Sequence, residues 1–244
     1  DLTLVGDGRR ADANIEPGKR MAIDAGSITG AGAYKAASMD LRSRGGIGEL
    51  DRALRTSTGR LNAVNTASGD SPINILNARV LVVDDVVQAG GGNTGAISIE
   101  TSGGLTVAPT SGDSQGVRTG SGNIRLVTHS PLTIEGKVRT ESGNVTLVAA
   151  NDGPLTIRGG GQVASGSGSV SLTGGTVSYA AGSVQVSDPS KLSSTETRPE
   201  GPNPDPKPTS ATGPTTYRRL VSARPAGSVN RPPPSTPKEN VCAP

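Results

Sequence analysis

The 244-residue sequence contains no Phe, no Trp and only 3 Tyr. Aromatic side chains supply much of the buried area of globular cores, so a core without them must be thin and built from Val, Ile, Leu and Ala. The same shortage removes the stacking platforms that proteins use to bind single-stranded nucleic acids. Because 24 basic residues nearly balance 21 acidic ones, we expect a narrow stacked core and no nucleic-acid partner.

Cysteine and long apolar runs are also scarce. The single Cys, Cys242, excludes an intramolecular disulfide and a cysteine-rich metal site, and we expect no metal ion or other cofactor. No apolar run approaches the roughly 18 residues needed to span a membrane. The chain begins with Asp1-Leu2-Thr3-Leu4, without an initial Met or a signal peptide, so we expect it to be a piece of a longer protein.

Glycine, in contrast, is abundant at 35 residues, and part of it lies in a repeated unit. Ser-Gly-Asn-Ile-Arg-Leu starts at Ser121, Ser-Gly-Asn-Val-Thr-Leu at Ser142 and Ser-Gly-Ser-Val-Ser-Leu at Ser167, and Pro-Leu-Thr-Ile occurs at Pro131 and again at Pro154. Short alternating segments that recur about every 20 residues are typical of units that stack in an array.

Weaker copies of the unit lie upstream. Ile97 and Leu105 match Ile124 and Leu132 at a common offset of 27 residues, and two segments that share one offset are stronger evidence than either alone. Alternating apolar segments 18 to 22 residues apart occur at residues 2–4, 21–23, 39–41 and 61–64. The repeat therefore extends over most of residues 1–187.

The repeat predicts a parallel β-helix. In a strand, alternate side chains face opposite sides, so Ile124 and Leu126 would face the interior and Arg125 the solvent. One coil cannot satisfy its own backbone hydrogen bonds, whereas a coil stacked about 4.8 Å away supplies them. We predict that residues 1–187 form an all-β parallel β-helix of roughly nine coils, with residues 48–54 as a protruding loop. An antiparallel β-sandwich is the alternative, but it should show two-residue hairpin turns.

Residues 188–244 have a different composition. They contain 13 of the 18 Pro, including Pro232-Pro233-Pro234, and their basic side chains outnumber the acidic ones. A segment with so few apolar residues cannot bury enough surface to offset the entropy of ordering. We predict a basic, Pro-rich, disordered tail that is partly polyproline-like.

The repeated motifs resemble the β-helical repeats of the filamentous haemagglutinin family, the large exoproteins of two-partner secretion in Gram-negative bacteria. The likeness rests on Ser-Gly-Asn-Ile/Val-x-Leu at Ser121 and Ser142 and on Pro-Leu-Thr-Ile at Pro131 and Pro154. It implies a right-handed helix, export across the outer membrane through a dedicated pore, and a role as a surface fibre or adhesin. The family's N-terminal secretion domain and a C-terminal toxin domain are not recognisable in this chain. A single Cys also departs from the cysteine pair that closes a C-terminal anchor in some relatives.

Two features are the candidates for chemistry. Asp84-Asp85 follows an apolar strand, and paired carboxylates carry out glycosidic hydrolysis, but the Gly-His-Gly and Arg-Ile-Lys segments of polygalacturonase-type β-helices are absent. His129 is the only histidine and has no sequence-adjacent partner. We therefore expect a solvated turn at Asp84-Asp85, a solvated corner at His129, and no catalysis.

Other polar residues recur in register. Asn123 and Asn144 follow Ser-Gly in successive units, so we predict a corner ladder in which their amides bond to the backbone or to each other, with ligand binding as the alternative. Outward side chains such as Arg125 form a polar face for which we consider glycans, a host protein or ice as ligands, although ice binding requires few charges. Cys242 lies near Lys238 and is a candidate for intermolecular attachment through a disulfide.

These features predict a structural and adhesive function, as the C-terminal rod segment of a large protein exported to the bacterial cell surface. The expected partners are a glycan or protein on a host or neighbouring cell, the outer-membrane pore during export, and further copies in a fibre. Two alternatives stay open. One is a polysaccharide-acting enzyme, which requires carboxylates clustered around Asp84-Asp85, and the other is a stalk that binds nothing and presents a domain outside this chain.

Overall fold

The computed structural model describes residues 2–6, 13–14, 18–109 and 116–197, with side chains from residue 18 onwards. Within these ranges the chain forms 22 strands and one short 3-10 helix, and the strands pair in parallel in two sheets. Nine strands follow one another along each sheet, so the chain forms a β-solenoid of about eight turns. The predicted fold class is confirmed.

The N-terminal half has two strands in each coil, which alternate between the two sheets. In chain order they are β1 (Leu2–Gly6), β2 (Ala13–Asn14), β3 (Arg20–Ala25), β4 (Ala33–Lys35), β5 (Ser38–Ser43), β6 (Leu54–Ser57), β7 (Arg60–Asn65), β8 (Ile73–Asn77) and β9 (Leu81–Gln88). The short strands β2, β4 and β6 were not predicted, because none of them shows an alternating apolar pattern.

The C-terminal half has three strands in each coil from β11 onwards, as the repeat predicts. In chain order its elements are β10 (Ile97–Thr101), β11 (Leu105–Val107), β12 (Gly116–Thr119), β13 (Ile124–Thr128), β14 (Leu132–Ile134), β15 (Lys137–Thr140), β16 (Val145–Ala149), β17 (Pro154–Ile157), β18 (Gln162–Ser165), β19 (Val170–Gly174), β20 (Thr176–Tyr179), β21 (Val184–Val186), the 3-10 helix Pro189–Lys191 and β22 (Leu192–Glu196).

The pairing registers confirm the repeat. Ile97 of β10 pairs with Ile124 of β13 at the predicted offset of 27, and Ile124 pairs with Val145 of β16 at 21. In the N-terminal half Met21 of β3 pairs with Met39 of β5. Like residues therefore stack on like, and each coil completes the backbone hydrogen bonds of its neighbour.

The two-sided coil becomes three-sided at β9. Leu61 of β7 pairs with Val83 and Asn62 with Asp85, so a bulge leaves Asp84 without a partner in the register. Beyond it, residues 81–83 pair with β11 and residues 85–87 pair with β12. The predicted end of this strand at Asp84-Asp85 is wrong, because the extra residue bends the strand without ending its pairing to β7.

The predicted loop at residues 48–54 lies largely outside the strands. Its backbone closes on itself through hydrogen bonds in both directions between Glu49 and Arg52. Asn74 of β8 holds it to the stack by donating from Nδ2 to the carbonyl oxygen of Glu49 at 2.7 Å. Leu50 is 67% exposed, so the loop protrudes as expected.

The solenoid continues beyond the predicted boundary at residue 187. β22 pairs with β19, with Leu192 opposite Val170, and the Asp188 side chain accepts a hydrogen bond from the Ser190 N–H at 2.9 Å, which caps the 3-10 helix. The prediction that the tail begins at 188 is therefore wrong for residues 188–197, because pairing to β19 orders a segment that has few apolar side chains. Residues 198–244, with Pro232-Pro233-Pro234 and Cys242, lie outside the described residues.

The core is as narrow as the composition predicts. Among the described residues it contains Val, Ile, Leu, Ala and Met side chains and a single buried aromatic ring, Tyr34. They occupy alternate strand positions, as in β16, where Val145 and Leu147 are buried and Thr146 between them faces outward. This alternation keeps one apolar interior along the whole stack.

Buried polar side chains line the corners of the coils. Thr140 Oγ1 accepts a hydrogen bond from the Gly143 N–H at 3.0 Å and donates to the carbonyl oxygen of Gly122 at 3.0 Å. At another corner, Asn65 Nδ2 donates to Gln88 Oε1 at 2.8 Å. These bonds satisfy backbone and side-chain groups that would otherwise be buried without a partner where the chain turns.

Steric constraint explains why glycine recurs in the repeated Ser-Gly motif. A Cβ atom at Gly122, Gly143 or Gly168 would lie 2.0 to 2.1 Å from the carbonyl oxygen of the glycine one coil earlier. No side chain fits at that distance, so each stacked corner of this type requires glycine.

Candidate functional surface

The exterior of the solenoid presents polar side chains in columns along the stack. Thr106, Thr133, Thr156 and Ser178 follow one another in register on the face formed by β11, β14, β17 and β20. Neighbouring rungs are about 4.8 Å apart. The surface is therefore a regular array in which each rung contributes one side chain to each column.

Charged residues on this exterior pair mainly between neighbouring rungs. The pairs are Arg20 with Asp40, Arg44 with Asp24 at 3.0 Å, Arg60 with Asp84 at 2.6 Å, Arg125 with Glu100 at 3.5 Å and Arg158 with Glu135 at 3.0 Å. Opposite charges on adjacent strands stabilise a sheet modestly, whereas like charges in the same positions destabilise it. The solenoid thus places acids beside bases at five positions along its charged surface.

The bulge in β9 lines a groove with a volume of about 450 Å³. The carboxyl and amide groups in it belong to Asp40, Asn62, Asp84 and Asp85. Asp84 accepts two hydrogen bonds from Arg60, at 2.5 and 2.6 Å, and Asp40 accepts hydrogen bonds from Arg20 and Asn62. Three carboxyl groups are therefore brought to one groove, but two of them are already paired with arginine.

Asp85 differs from the other two because it has no ion pair within the described part of the chain. Its Oδ1 accepts a hydrogen bond from the Gly116 N–H at 3.1 Å. Partial burial raises the pKa of Asp85 above its usual value and the charge of Asp84 acts in the same direction, while the Gly116 hydrogen bond and the charge of Arg118 oppose them.

Asp40 shows the opposite balance. Burial acts to raise its pKa, but hydrogen bonds from Arg20 and Asn62, with the charges of Arg20 and Arg42, bring that pKa below the usual value. The groove therefore holds one carboxyl group that ionises at higher pH than normal and another that ionises at lower pH.

His129 lies on an exposed corner just after β13. Its Nε2 is 3.3 Å from Glu100 Oε1, and Arg125 Nη1 is 3.5 Å from the other oxygen of the same carboxylate. Sequence reasoning missed Glu100, because it precedes His129 by 29 residues and only the stacking of β13 on β10 brings it close. In the described ranges no group of three or more His, Cys, Asp or Glu side chains is placed to hold a metal ion.

Asn123 and Asn144 lie on the exposed side of a corner. The Asn144 N–H donates to Asn123 Oδ1 at 2.8 Å, and the N–H and the hydroxyl of Ser169 each donate to Asn144 Oδ1 at 2.9 Å. Each amide thus ties its own corner to the corner of the next coil, which is a structural role that requires no ligand.

Arg118 of β12 and Arg139 of β15 depart from the charge pattern. They pair in register, and neither forms an ion pair with a described carboxylate. The Nε atom of Arg118 is buried and has no hydrogen-bond partner among the described residues. The two arginines were not singled out from the sequence, although Val-Arg-Thr at residues 117–119 and again at 138–140 was a visible signal.

Two further expectations concern Cys242 and membrane-spanning segments. Cys242, the candidate for intermolecular attachment, lies outside the described residues. No helix among the described residues is long and apolar enough to cross a membrane.

The chain was compared with protein-family models, with curated proteins and with solved structures, and none of them matches it. What the protein does must therefore be derived from the solenoid and its exposed side chains.

Proposed function

We propose that this protein is a rod segment of a large, exported bacterial surface protein, with a structural and adhesive function. The observation that carries the proposal is the continuous parallel stack, whose nine rungs hold exposed side chains in register over a length on the order of 40 Å. A rod of this kind presents similar groups repeatedly. Weak contacts to a repetitive ligand can therefore act together along its length.

The character of the exterior supports adhesion. Many outward positions carry Thr, Ser, Asn or Arg, which offer hydrogen bonds to sugar hydroxyls or to a protein backbone. The groove beside Asp84 and Asp85 is lined mainly by polar and charged side chains, whereas small-molecule sites are mostly apolar. A mainly polar surface of this kind suits an extended ligand that contacts several rungs, such as a glycan or protein on a host or neighbouring cell.

The resemblance of the Ser-Gly-Asn repeats to those of the filamentous haemagglutinin family supports export through an outer-membrane pore to the cell surface. A stack in which each coil contacts only its neighbours can fold progressively as it emerges. Parallel stacking also supports association of further copies into fibres, because a terminal strand offers backbone groups to another strand.

The test is binding of purified residues 1–244, and separately of residues 1–197, to host-cell surfaces and to a glycan array. Both should bind equally, because the shorter chain keeps every described strand. Binding by the longer chain alone would assign adhesion to residues 198–244 and contradict the proposal. Binding by neither would favour a stalk that presents another domain.

A second function, a polysaccharide-acting enzyme, is favoured by the groove at Asp84 and Asp85. A carboxyl group with a raised pKa beside a paired carboxylate is an arrangement that cleaves glycosidic bonds. Release of reducing ends from polysaccharides should then be lost in Asp85→Asn and kept in Asp70→Asn, which removes an exposed carboxylate elsewhere. No release by the wild-type protein from a panel of acidic and neutral polysaccharides would exclude this function.

A further inference from the structure

We propose that the face of the rod that carries Arg118 and Arg139 binds an acidic polysaccharide, through sulfate or carboxylate groups held by the two guanidinium groups. This inference deepens the adhesive function proposed above, and it rests on that function in taking the ligand to be a glycan.

The two arginines occupy the same outward position on adjacent rungs. Val117 and Thr119, on either side of Arg118, are buried, so strand alternation turns Arg118 outward, and Arg139 has the same setting in β15. Residues in register on neighbouring parallel strands are about 4.8 Å apart. The backbone positions of the two arginines are therefore close enough for both guanidinium groups to contact one oxyanion, or two successive oxyanions of one ligand.

Like charges in register are unfavourable, and much of the charged surface avoids them. Arg60 lies beside Asp84 and Arg158 beside Glu135 on neighbouring rungs, whereas Arg118 lies beside Arg139. A departure from a local rule that the rest of a structure obeys is expected where function requires it. Adjacent guanidinium groups supply several N–H donors in planes suited to carboxylate or sulfate, which an Arg–Asp pair cannot do.

No ion pair joins either arginine to a carboxylate of the described ranges. The charge of Arg118 acts on Asp85, and Glu141 lines two grooves together with Arg139, but neither carboxylate forms an ion pair with either arginine. The buried Nε of Arg118 has no acceptor among the described residues. A buried charged donor without a partner carries a free-energy cost, and an oxyanion bound beside the half-buried guanidinium group would reduce that cost through its charge.

Two grooves that Arg139 lines leave room for a chain of sugars. One groove, of about 430 Å³, contains Arg118, and the other, of about 340 Å³, contains Lys137 and Gln162. Ala164 follows Arg139 in its column and its small side chain keeps that side open. None of the residues that line either groove is aromatic, so stacking of nucleobases is not supported, whereas the amide of Gln162 suits sugar hydroxyls.

The experiment measures binding of the full chain to immobilised dextran sulfate, polygalacturonate and unmodified dextran. We expect salt-sensitive binding to at least one of the two acidic polymers and none to dextran, and the two acidic polymers separate sulfate from carboxylate recognition. Arg118→Gln and Arg139→Gln should each weaken binding by about tenfold, and the double variant should bind at background level. Arg55→Gln is the matched control, because it removes an exposed arginine from β6.

Several outcomes would overturn the inference. The first is that the double variant binds the acidic polymers as strongly as Arg55→Gln does. The second is that the wild-type protein binds double-stranded DNA as strongly as these polymers at the same charge concentration. The third is that the folded wild-type protein binds neither acidic polymer. Melting curves of all variants identify any loss of fold, and the exposed Arg139→Gln variant keeps the test valid if Arg118→Gln does not fold. Cell or neutral-glycan binding that survives in the double variant would reject this site and leave the adhesive function standing.

Discussion

At the scale of single residues, glycine at the repeated corner controls how closely two coils approach. Gly143 makes this dependence testable, because a Cβ atom there would lie 2.0 Å from the carbonyl oxygen of Gly122. Gly143→Ala should lower the free energy of unfolding by about 3 kcal/mol, since the corner must shift to relieve the overlap. Denaturant unfolding followed by circular dichroism measures the change.

Gly26→Ala is the control for this variant. Nothing lies within 4 Å of a Cβ atom at Gly26, and its φ is not in the left-handed region, so the substitution should change stability by less than about 0.5 kcal/mol. Equal destabilisation by both variants would show that close approach at Gly143 is not the reason for the repeated glycine.

Ionisation of the Asp85 side chain should destabilise the folded protein. Because its pKa is raised in the folded state, the folded protein binds more protons than the unfolded chain between the usual Asp value and the raised one. The contribution of Asp85 to stability is therefore fully present below the usual pKa of Asp, near pH 3.9. It is lost as the pH rises through the raised pKa of the folded state. Asp85→Asn should raise Tm by about 1–4 °C at pH 7 and leave it almost unchanged near pH 3, as measured by calorimetry. A lower Tm at pH 7 would mean that the negative charge stabilises the bulge through Gly116 and Arg118.

The candidate site could be predicted from the sequence only in part. Asp84, Asp85 and His129 stand out as residue types, but their partners lie 24 to 31 positions away: the side chains of Arg60 and Glu100 and the backbone N–H of Gly116. Such contacts depend on the register of one coil on the next, which a reading of local spacing does not provide.

At the scale of the strand, alternation decides which substitutions the solenoid tolerates. Leu147 of β16 is fully buried between Leu126 and Leu172 of the neighbouring rungs. Leu147→Asp should lower the free energy of unfolding by several kcal/mol, about 4 or more, because it buries a carboxylate without a partner. Thr146→Asp, at the adjacent outward position, should change it by about 0.5 kcal/mol or less. Thermal unfolding distinguishes them, and similar melting of both variants would contradict the assigned register.

The strands that could be predicted are those whose pattern is local. β13, β16 and β19 combine alternation with a constant offset, and both properties are visible in the sequence. The bulge in β9 could not be predicted, because it depends on the pairing of Asn62 with Asp85 on another rung. β22 was missed for a related reason, since its order comes from backbone pairing to β19 and not from its own apolar content.

At the scale of the whole molecule, the position of the last rung determines where the solenoid can be cut. Truncation after residue 187 removes β22 and uncovers Val170 and Leu172 of β19, which truncation after residue 197 does not. The shorter chain should be less stable by about 1–3 kcal/mol. Thermal unfolding of the two fragments measures the difference, and equal melting temperatures would show that β22 adds nothing to the fold.

The direction of the pairing between rungs also determines how the rod would respond to force. Every described strand lies across the rod, so the hydrogen bonds between rungs run along its axis, and tension on the two ends of the chain would detach the rungs one at a time from an end. A coil of about 22 residues occupies about 4.8 Å of the stack but reaches on the order of 70 Å when extended. Peeling from an end would therefore lengthen the rod more than tenfold in small steps, so that under the proposed adhesive function an attached cell would stay tethered through a sudden pull.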